Sequence, residues 1–433
     1  MVLKLYSSTF PAGGGVIVAL VLAEKQIPFE HVLVNMESKQ HKTPEFLAMH
    51  PFGQVPVIDD GGFVVYESRA ICRYLAEKYA DKGTPLLPKG LKERTLIDQA
   101  ASVEAFNFYP AVIKVVRETF VKARNGQPVD QAVVDEGIAD LSTKLDVYEV
   151  ILGKHKFLAG DEFTLADILH YAYAPLLADS GIDIMTSTAR PNVARWDFSS
   201  LPQVDLACSY MARIGFIGEI SDWSALVVEP SLHLSSREKQ IPFEHVIVDM
   251  AGKEHKTPAF LAMHPFGQIP VIDDDGFIVY ESRAICRYLA EKYADKGTPL
   301  LPKGLKERTL VEQAASVEFA NFYPSVIKVA REAVFKPRHG GTKDQAVLDE
   351  GLVELGAKLD VYEVILGKQK FLAGNEFTLA DVFHYAYAPL LAEGGVDIMT
   401  SKERPNVARW WNELVSRPTW MKLKAEGIKG TEK

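Results

Sequence analysis

The chain repeats itself over most of its length. Pro28 recurs as Pro242 and Trp196 recurs as Trp410, with the same displacement of 214 positions in both cases. The match runs without a gap from Glu24 to Trp196 in the first copy, and most of the paired residues are identical. A period of this length is far too long for the stacked repeats of a solenoid. The sequence therefore predicts the duplication of a whole folding unit.

Copy one begins with short strands and helices in alternation. Alternating apolar residues indicate strands, and longer amphipathic runs indicate helices. Two short apolar runs joined by an Asp-Asp-Gly-Gly turn at 59–62 are typical of a hairpin. The predicted order is a strand over 3–6, a helix over 16–25, a strand over 29–34, a hairpin over 55–66 and a helix over 68–79. A βαβ unit followed by a ββα unit predicts a small thioredoxin-like domain.

The pattern after residue 90 is helical. Residues 81–90 are rich in Pro and Gly and are typical of a linker. Thr164 and Asp167 form a capping box ahead of an apolar run, and Thr378 and Asp381 repeat it in copy two. The predicted helices of copy one cover 93–123, 130–152 and 165–178. An all-helical domain is therefore expected after each thioredoxin-like domain.

The hairpin of copy one carries the first chemical signal. Pro56 has no N–H to donate, so it belongs at a strand start or edge, and the backbone of Val55 is left to pair with an extended ligand. Ser68 suits the N-cap of the next helix, and the first turn of a helix is a ready anion site. This combination favours a peptide-like ligand that carries a carboxylate.

The run HPFGQVP at 50–56, followed by YESRAI at 66–71, resembles the glutathione site of glutathione transferases, close to the phi class. The resemblance implies that the proline is cis, that the residue before it pairs with the cysteinyl backbone of glutathione, and that the Glu-Ser pair holds the γ-glutamyl group. It also implies that a His-Lys pair contacts the glycyl carboxylate. The implied glutathione residues are His41, Lys42, Gln54, Val55, Pro56, Glu67 and Ser68, with His255, Lys256, Gln268, Ile269, Pro270, Glu281 and Ser282 in copy two. A plain helix cap at the Glu-Ser pair and an ordinary surface His-Lys pair are the alternatives.

The reaction of this family needs the glutathione thiol as a thiolate. A free thiol titrates at about 8.5, so only a few per cent of it is nucleophilic at neutral pH. In phi-like enzymes a serine just before the first helix supplies the hydrogen bond, but that position falls on Ala12 here. Ser8 and Thr9 lie slightly upstream and are the predicted donors. The amides of 13–15 are one alternative, and a copy that binds glutathione but activates it poorly is another.

The same resemblance indicates where an electrophile would bind. Differences between the two copies cluster at 105–129, on a helix that lines the electrophile pocket in the family. We expect Phe10, Val116 and Phe120 to line this pocket. Neutral sequence drift at a loosely packed helix end explains the differences between the copies equally well.

The start of copy two departs from copy one. Residues 197–237 match nothing in copy one and show no hydrophobic period, as expected if two neighbouring genes were joined. Pro230 lies where the first helix should run, and proline costs about 3 kcal/mol in a helix interior. Copy two is therefore expected to lack the first strand and most of the first helix, with 225–228 as a makeshift strand. It keeps the binding motif without an activating residue.

The predicted fold is α/β plus all-α, in two tandem units, with the second thioredoxin-like domain truncated at its start. The predicted domains are a thioredoxin-like domain over 1–82, a helical domain over 91–196, an atypical junction over 197–237, a truncated thioredoxin-like domain over 238–296 and a helical domain over 305–426.

Composition limits the compartment and the partners. The net charge of −9 argues against a nucleic-acid partner. No signal peptide and no span long enough to cross a membrane stand out. Cys72, Cys208 and Cys286 are few and odd in number, which favours a reducing compartment, and so the cytoplasm, over a disulfide framework. Cys72 and Cys286 are expected to be small buried apolar residues.

The predicted function is conjugation of the glutathione thiolate to a hydrophobic electrophile. Glutathione is the co-substrate, and neither a further cofactor nor a metal is expected. The alternatives are a glutathione-binding or ligand-binding protein without catalysis, and a structural scaffold of the kind attached to translation factors. The expected assembly is a homodimer or an internal pseudo-dimer of the two copies. Phe52 and Phe266 match an aromatic that inserts into the partner's helical domain in related classes, although both also suit an ordinary core.

Overall fold

A computed structural model of the chain describes residues 2–8, 13–196 and 229–426. The chain divides into two compact units. The first unit takes the described residues up to 196 together with Leu261–Gly267 and Asp273–Ala284. The second unit takes 229–260, Gln268–Ile272 and the described residues from Ile285 onward. The division therefore does not follow the sequence repeat, because two segments of copy two belong to the first unit.

A four-stranded sheet opens the first unit, in the order β2-β1-β3-β4. β1 (Leu3–Ser7) is central, since it pairs in parallel with β2 (Phe29–Leu33) and antiparallel with β3 (Val57–Asp60). β3 also pairs antiparallel with β4 (Phe63–Tyr66). The helices of this part are α1 (Gly14–Glu24), α2 (Pro44–Met49) and α3 (Ser68–Lys78). The predicted strand and helix order is confirmed, with boundaries that differ by one or two residues.

Burial explains the unusual composition of α1. Its consecutive β-branched residues weaken any helix prediction made from propensity alone. Val16, Val18 and Val21 are nonetheless fully buried, and a helix that is apolar on every side is the kind that lies within a core. Tertiary packing, rather than propensity, therefore makes this segment a helix.

The rest of the first unit up to 196 is helical. The capping box is confirmed, because the Asp167 side chain accepts the N–H of Thr164 at 3.0 Å while the Thr164 hydroxyl accepts the N–H of Ala166. Asp167 also accepts the indole N–H of Trp196 at 2.9 Å. The helices are α4 (Leu91–Val103), α5 (Tyr109–Val116), α6 (Gln131–Lys154), α7 (Leu165–His170), α8 (Ala174–Asp179) and α9 (Pro191–Trp196), with π-helical turns at Glu104–Phe108 and Arg117–Lys122.

The single helix predicted over 165–178 is wrong. It is broken between α7 and α8, over 171–173. Pro175 cannot donate a hydrogen bond to the carbonyl of Tyr171, and it lies instead in the first turn of α8, where proline is tolerated. The break carries Tyr173 out of the helical conformation, with φ −137° and ψ −13°.

Copy two forms a corresponding set of elements. Its strands are β5 (Val271–Asp274) and β6 (Phe277–Tyr280). Its helices are α10 (Glu229–Glu238), α11 (Pro258–Met263), α12 (Ser282–Lys292), α13 (Leu305–Val317), α14 (Tyr323–Ala330), α15 (Lys336–Arg338), α16 (Gln345–Leu366), α17 (Leu379–Val382), α18 (Ala388–Glu393), α19 (Pro405–Val415) and α20 (Pro418–Glu426). π-Helical turns recur at Glu318–Phe322 and Arg331–Phe335, and the capping box recurs at Thr378 and Asp381.

The expected loss of most of the first helix from copy two is wrong. α10 ends at Glu238 as α1 ends at Glu24, and it is only one residue shorter. Pro230 is its second residue, and the first turn of a helix needs no N–H there. The predicted makeshift strand at 225–228 lies outside the described residues, as do most of the junction and Cys208.

α10 is fixed by polar contacts, whereas α1 is fixed by the burial of apolar side chains. Glu238 accepts two hydrogen bonds from the Arg417 guanidinium, each at 2.8 Å. Arg417 immediately precedes α20. The start of this C-terminal helix therefore brings a partner for the buried carboxylate at the end of α10.

The hairpin strands of copy two are less buried than those of copy one. Val57 and Ile58 in β3 are fully buried because β1 covers one edge of that strand. Their counterparts Val271 and Ile272 in β5 are half-buried. Within the described residues, β5 pairs only with β6.

The described residues contain no helix that is both long and apolar enough to cross a membrane.

The stability of copy two is predicted to depend on His233. This side chain replaces Ala19 of α1, and its buried ring lies 4.8 Å from the ring of His245. Burial first, and then the nearby His245 and Arg237, lowers the pKa of His233 to about 4. The stability that it contributes is therefore complete above the unfolded pKa of about 6.5 and is lost as the pH falls toward 4.

His233→Ala should remove this dependence. Between pH 7 and pH 4, the free energy of unfolding should fall by about 3 kcal/mol more in the unmodified chain than in the variant. Urea unfolding at a series of pH values measures the difference. Parallel pH profiles for the two proteins would show that His233 does not titrate in this way.

Candidate functional site

The Glu-Ser pair lies where β4 ends and α3 begins. α3 begins at Ser68, so the expected N-cap role of Ser68 is wrong by one residue and the N-cap is Glu67. Glu67 has φ 68° and Glu281 in copy two has φ 69°. Such backbone conformations cost about 1–3 kcal/mol and cluster at functional sites. Sequence reasoning missed this feature because no glycine or asparagine marks the position.

The prolines of the two motifs are both cis, as the resemblance implied. The bonds are Val55–Pro56 and Ile269–Pro270. In copy one, a Cβ at Gly14 would lie 2.8 Å from Cδ of Pro56 and 2.8 Å from Cβ of Ser68. The start of α1, the cis-proline and the start of α3 therefore meet at one point, where only glycine fits.

Lys42 holds the loop that leads to this point. Its ammonium group donates hydrogen bonds to the carbonyls of Phe52 and Gly53, both at 2.9 Å. Nδ1 of His41 is buried and has no hydrogen-bond partner. Burial, together with the positive charges of Lys42 and Lys39, lowers the pKa of His41. The predicted contact of His41 and Lys42 with a glycyl carboxylate stays a prediction.

The predicted thiol donors are only partly described. Ser8 follows β1 and is partly exposed, whereas Thr9 and Phe10 lie outside the described residues, as does Ala12. The neighbouring Ser7 hydroxyl lies 2.7 Å from Nε2 of His31, in hydrogen-bonding contact with that ring. Ser8 therefore remains the described candidate among the hydroxyls of this segment.

The glycine amides offer less than the sequence indicated. The N–H of Gly13 donates to the carbonyl of Ala172 at 2.5 Å, so it is already occupied. Gly13 also has φ 81°, a conformation that favours glycine. Of the three amides proposed as hydrogen-bond donors to the sulfur, only those of Gly14 and Gly15 remain candidates.

A tyrosine that sequence reasoning missed, Tyr173, approaches the same loop, and Tyr109 packs against it. The Tyr173 hydroxyl oxygen lies 2.9 Å from the position that a Cβ at Gly13 would occupy. The rings of Tyr109 and Tyr173 are 5.5 Å apart, and their hydroxyls are hydrogen-bonded. Burial raises the pKa of Tyr173 to about 12, so its hydroxyl is neutral near pH 7. The proline at 175 was the available signal, because it implied the helix break that brings Tyr173 here.

The two helix residues predicted to line an electrophile pocket differ in exposure. Val116 is fully buried, and Phe120 in the following π-helical turn is partly exposed. Phe106, where the copies differ, lies 5.5 Å below the guanidinium of Arg283 in the first unit. At this position the difference between copies therefore changes an internal contact. The pocket itself stays a prediction.

The corresponding motif of copy two is divided between the units. Gln268, Ile269 and Pro270 belong to the second unit, whereas Glu281 and Ser282 belong to the first. Burial raises the pKa of Glu281 to about 7, and Arg283 opposes this shift. Near neutral pH this carboxyl is therefore partly protonated. Glutathione binding by these residues, His255 and Lys256 included, stays a prediction.

Phe266 contacts a helix of copy one within the first unit. Its ring packs edge-on against Tyr148 of α6, with 6.0 Å between the ring centres. The N–H of Tyr280 donates to the side-chain oxygen of Gln99 on α4 at 2.9 Å. These contacts attach the two copy-two segments of this unit to the helices of copy one.

The described residues hold no group of three or more His, Cys, Asp or Glu that could bind a metal. Cys72 and Cys286 are buried free thiols, and burial raises the pKa of Cys72. They are small core residues, as expected, and not nucleophiles.

Comparison with known proteins matches both copies of the repeat. A family model for the glutathione S-transferase N-terminal domain matches residues 1–77, and a second model for that domain matches 232–292. The model for the glutathione S-transferase C-terminal domain matches 108–197 and 322–418.

Individual relatives match about one copy each. Glutathione S-transferase F11 of Arabidopsis thaliana is 44% identical over 188 residues, which cover 43% of this chain and 87% of the relative. Glutathione S-transferase hmp2 of Hypomyces subiculosus is 40% identical over 192 residues, which cover 44% of this chain and 90% of the relative. The crystal structure of glutathione transferase F7 from Populus trichocarpa aligns with 34% identity and a TM-score of 0.46, covering 49% of this chain and all of that one.

The strained backbone at Glu67 gives a test of the site. Glu67→Ala and Glu67→Gly both remove the carboxylate, so both should weaken glutathione binding by about tenfold or more. Only glycine relieves the positive φ, so the Gly variant should be more stable than the Ala variant by about 1 kcal/mol. Calorimetric titration with glutathione and urea unfolding measure the two effects.

Glu281→Ala and Glu281→Gly are the matched controls in copy two. The Gly variant should again be more stable than the Ala variant by about 1 kcal/mol. Neither variant should weaken glutathione binding at copy one. Unchanged glutathione affinity in both Glu67 variants would remove Glu67 from the site.

Proposed function

The chain belongs to the glutathione S-transferase family, and we propose that its first copy conjugates glutathione to hydrophobic electrophiles. Glutathione is the co-substrate of this enzyme family. The observation that carries the proposal is the meeting of α1, the cis-proline at 56 and the start of α3 at Gly14. It supports a site in which the backbone of Val55 pairs with the cysteinyl unit while Glu67 and Ser68 hold the γ-glutamyl group.

The proposed reaction is a nucleophilic attack by sulfur. The thiol loses its proton to solvent, the thiolate forms a C–S bond with the electrophilic carbon, and a leaving group departs with its electron pair. Lowering the thiol pKa by about two units needs roughly 2.7 kcal/mol of preference for the thiolate. The N-terminal end of α1, with the amides of Gly14 and Gly15, supplies part of this preference through the helix dipole.

Copy two is proposed to contribute little to turnover. The partly protonated Glu281 supports this proposal, because a neutral carboxyl attracts the ammonium group of a γ-glutamyl unit less strongly than a carboxylate does. A glutathione-binding protein without catalysis is the second candidate function. It is favoured by the absence of the family serine at Ala12.

We also propose that copy two acts as an internal partner for copy one. The grouping of Leu261–Gly267 and Asp273–Ala284 with copy one supports this, as does the packing of Phe266 on Tyr148. The proposed domains remain 1–82, 91–196 and 305–426, whereas the third domain of the sequence analysis is extended from 238–296 to 229–296 so that it includes α10. The cytoplasm is the proposed compartment, which the buried free thiols of Cys72 and Cys286 support.

The first functional test compares equivalent serines in the full chain. With a chlorodinitrobenzene as electrophile, Ser68→Ala should lower kcat/KM by about tenfold or more, because it removes a hydrogen bond to the γ-glutamyl carboxylate. Ser282→Ala in copy two should leave kcat/KM nearly unchanged. Retention on immobilised glutathione without any turnover would favour the binding protein over the enzyme.

The internal-partner proposal predicts the mass of the protein in solution. Sedimentation equilibrium of the full chain at micromolar concentration should give the mass of one chain. Phe266→Ala should destabilise the first unit by about 3–5 kcal/mol, since it removes a buried aromatic side chain. A stable dimer of whole chains would instead show that each chain still needs an external partner.

A further inference from the structure

The activating group of copy one is the open question in the proposed function. The family serine is replaced by Ala12, the Ser7 hydroxyl contacts His31, and the Gly13 amide is bonded to Ala172. A thiolate in a partly buried site needs at least one hydrogen-bond donor close to the sulfur. Side chains that approach the loop from other elements are therefore further candidates.

The hydroxyl of Tyr173 reaches the loop from the helical domain. It lies 2.9 Å from the position that a Cβ at Gly13 would occupy, so an alanine there would collide with it. The next residue, Gly14, is the point where Pro56 and Ser68 converge. The hydroxyl therefore meets the loop at the residue that immediately precedes this convergence.

Two structural features hold Tyr173 in this position. The helix break ahead of Pro175 gives Tyr173 a non-helical backbone, and the carbonyl of Ala172 is bonded to the N–H of Gly13. The ring also packs against Tyr109, with 5.5 Å between the ring centres. Tyr173 as a whole residue is half-buried.

The hydrogen bond between the two tyrosines leaves one hydroxyl proton of the pair for a third partner. The two phenol oxygens share one hydrogen bond, which uses only one of their two protons. A phenol oxygen that accepts one hydrogen bond can still donate its own proton elsewhere. Glu104, buried and paired with Arg69, adds negative charge that keeps both phenols protonated.

We propose that Tyr173 is the hydroxyl donor for the glutathione thiolate in copy one, in place of the missing serine. This inference rests on the proposed function. In the reaction, the sulfur accepts a hydrogen bond from Tyr173 while its own proton passes to solvent. The phenol keeps its proton throughout, and Tyr109 supports it by donating to its oxygen.

The test is the pH dependence of conjugation by the full chain carrying Tyr173→Phe. With chlorodinitrobenzene, the C–S bond forms and the C–Cl bond breaks, so chloride leaves with the electron pair. The apparent thiol pKa from kcat/KM should rise by about one unit, and the rate below that pKa should fall by about tenfold. The KM for glutathione should change little, because the contacts to the rest of the tripeptide remain.

Tyr387→Phe is the matched control, since Tyr387 and Tyr323 form the same ring pair in copy two at 5.3 Å. It should leave the pH profile unchanged. Tyr109→Phe removes only the supporting hydrogen bond and should shift the pKa in the same direction by a smaller amount. If circular dichroism shows that Tyr173→Phe does not fold, the thiol pKa of Tyr109→Phe is the test instead. A raised pKa in that variant supports the role of Tyr173, and an unchanged pKa overturns it.

The outcomes separate this inference from the function on which it rests. If the parent chain turns over normally and Tyr173→Phe has the same pH profile, the role of Tyr173 is overturned while the proposed function stands. If the parent chain binds glutathione without turnover, the ultraviolet absorption of the bound thiolate replaces the kinetic readout. Its pKa must then rise in Tyr173→Phe for the inference to stand. A parent chain that neither binds nor turns over glutathione overturns both.

Discussion

The architecture of copy one depends on the close approach of three backbone segments at Gly14. Any side chain there would lie 2.8 Å from both Pro56 and Ser68, so it would separate α1 from the cis-proline loop and from α3. The apolar residues of α1 make this approach favourable because they are buried where α1 packs against α3 and α7. The same approach leaves the first amides of α1, the backbone before the proline and the start of α3 directed at one small volume. Folding and ligand binding thus depend on the same contact.

Much of this could be predicted from the sequence because it depends on local signals. The hairpin turn at 59–62, the capping box at Thr164 and Asp167 and the repeat itself are properties of neighbouring or exactly spaced residues, and all appear in the structure. The failures depend on context. Pro230 lies in the first turn of a helix instead of breaking one, because the helix begins at the preceding residue, Glu229. The position of Tyr173 follows from a helix break combined with a contact to a distant loop, which no local pattern contains.

The backbone of Glu67 could not be predicted for a similar reason. A left-handed glutamate has no sequence signature, and the conformation persists only because β4 and α3 fix the chain on both sides. The repetition of this conformation at Glu281 shows that the fold imposes it, whatever ligand each copy binds. The copies differ instead in what surrounds the motif. In copy two a polar helix anchored by Glu238 and Arg417 replaces the apolar α1.

We propose that one chain carries one thiol-activating centre, in copy one. Titration of the full chain with glutathione, followed by the ultraviolet absorption of the thiolate near neutral pH, counts these centres directly. We expect one thiolate per chain at saturation. Two thiolates per chain would show that copy two activates glutathione as well, and none would show that neither copy does, which would contradict the proposed enzyme.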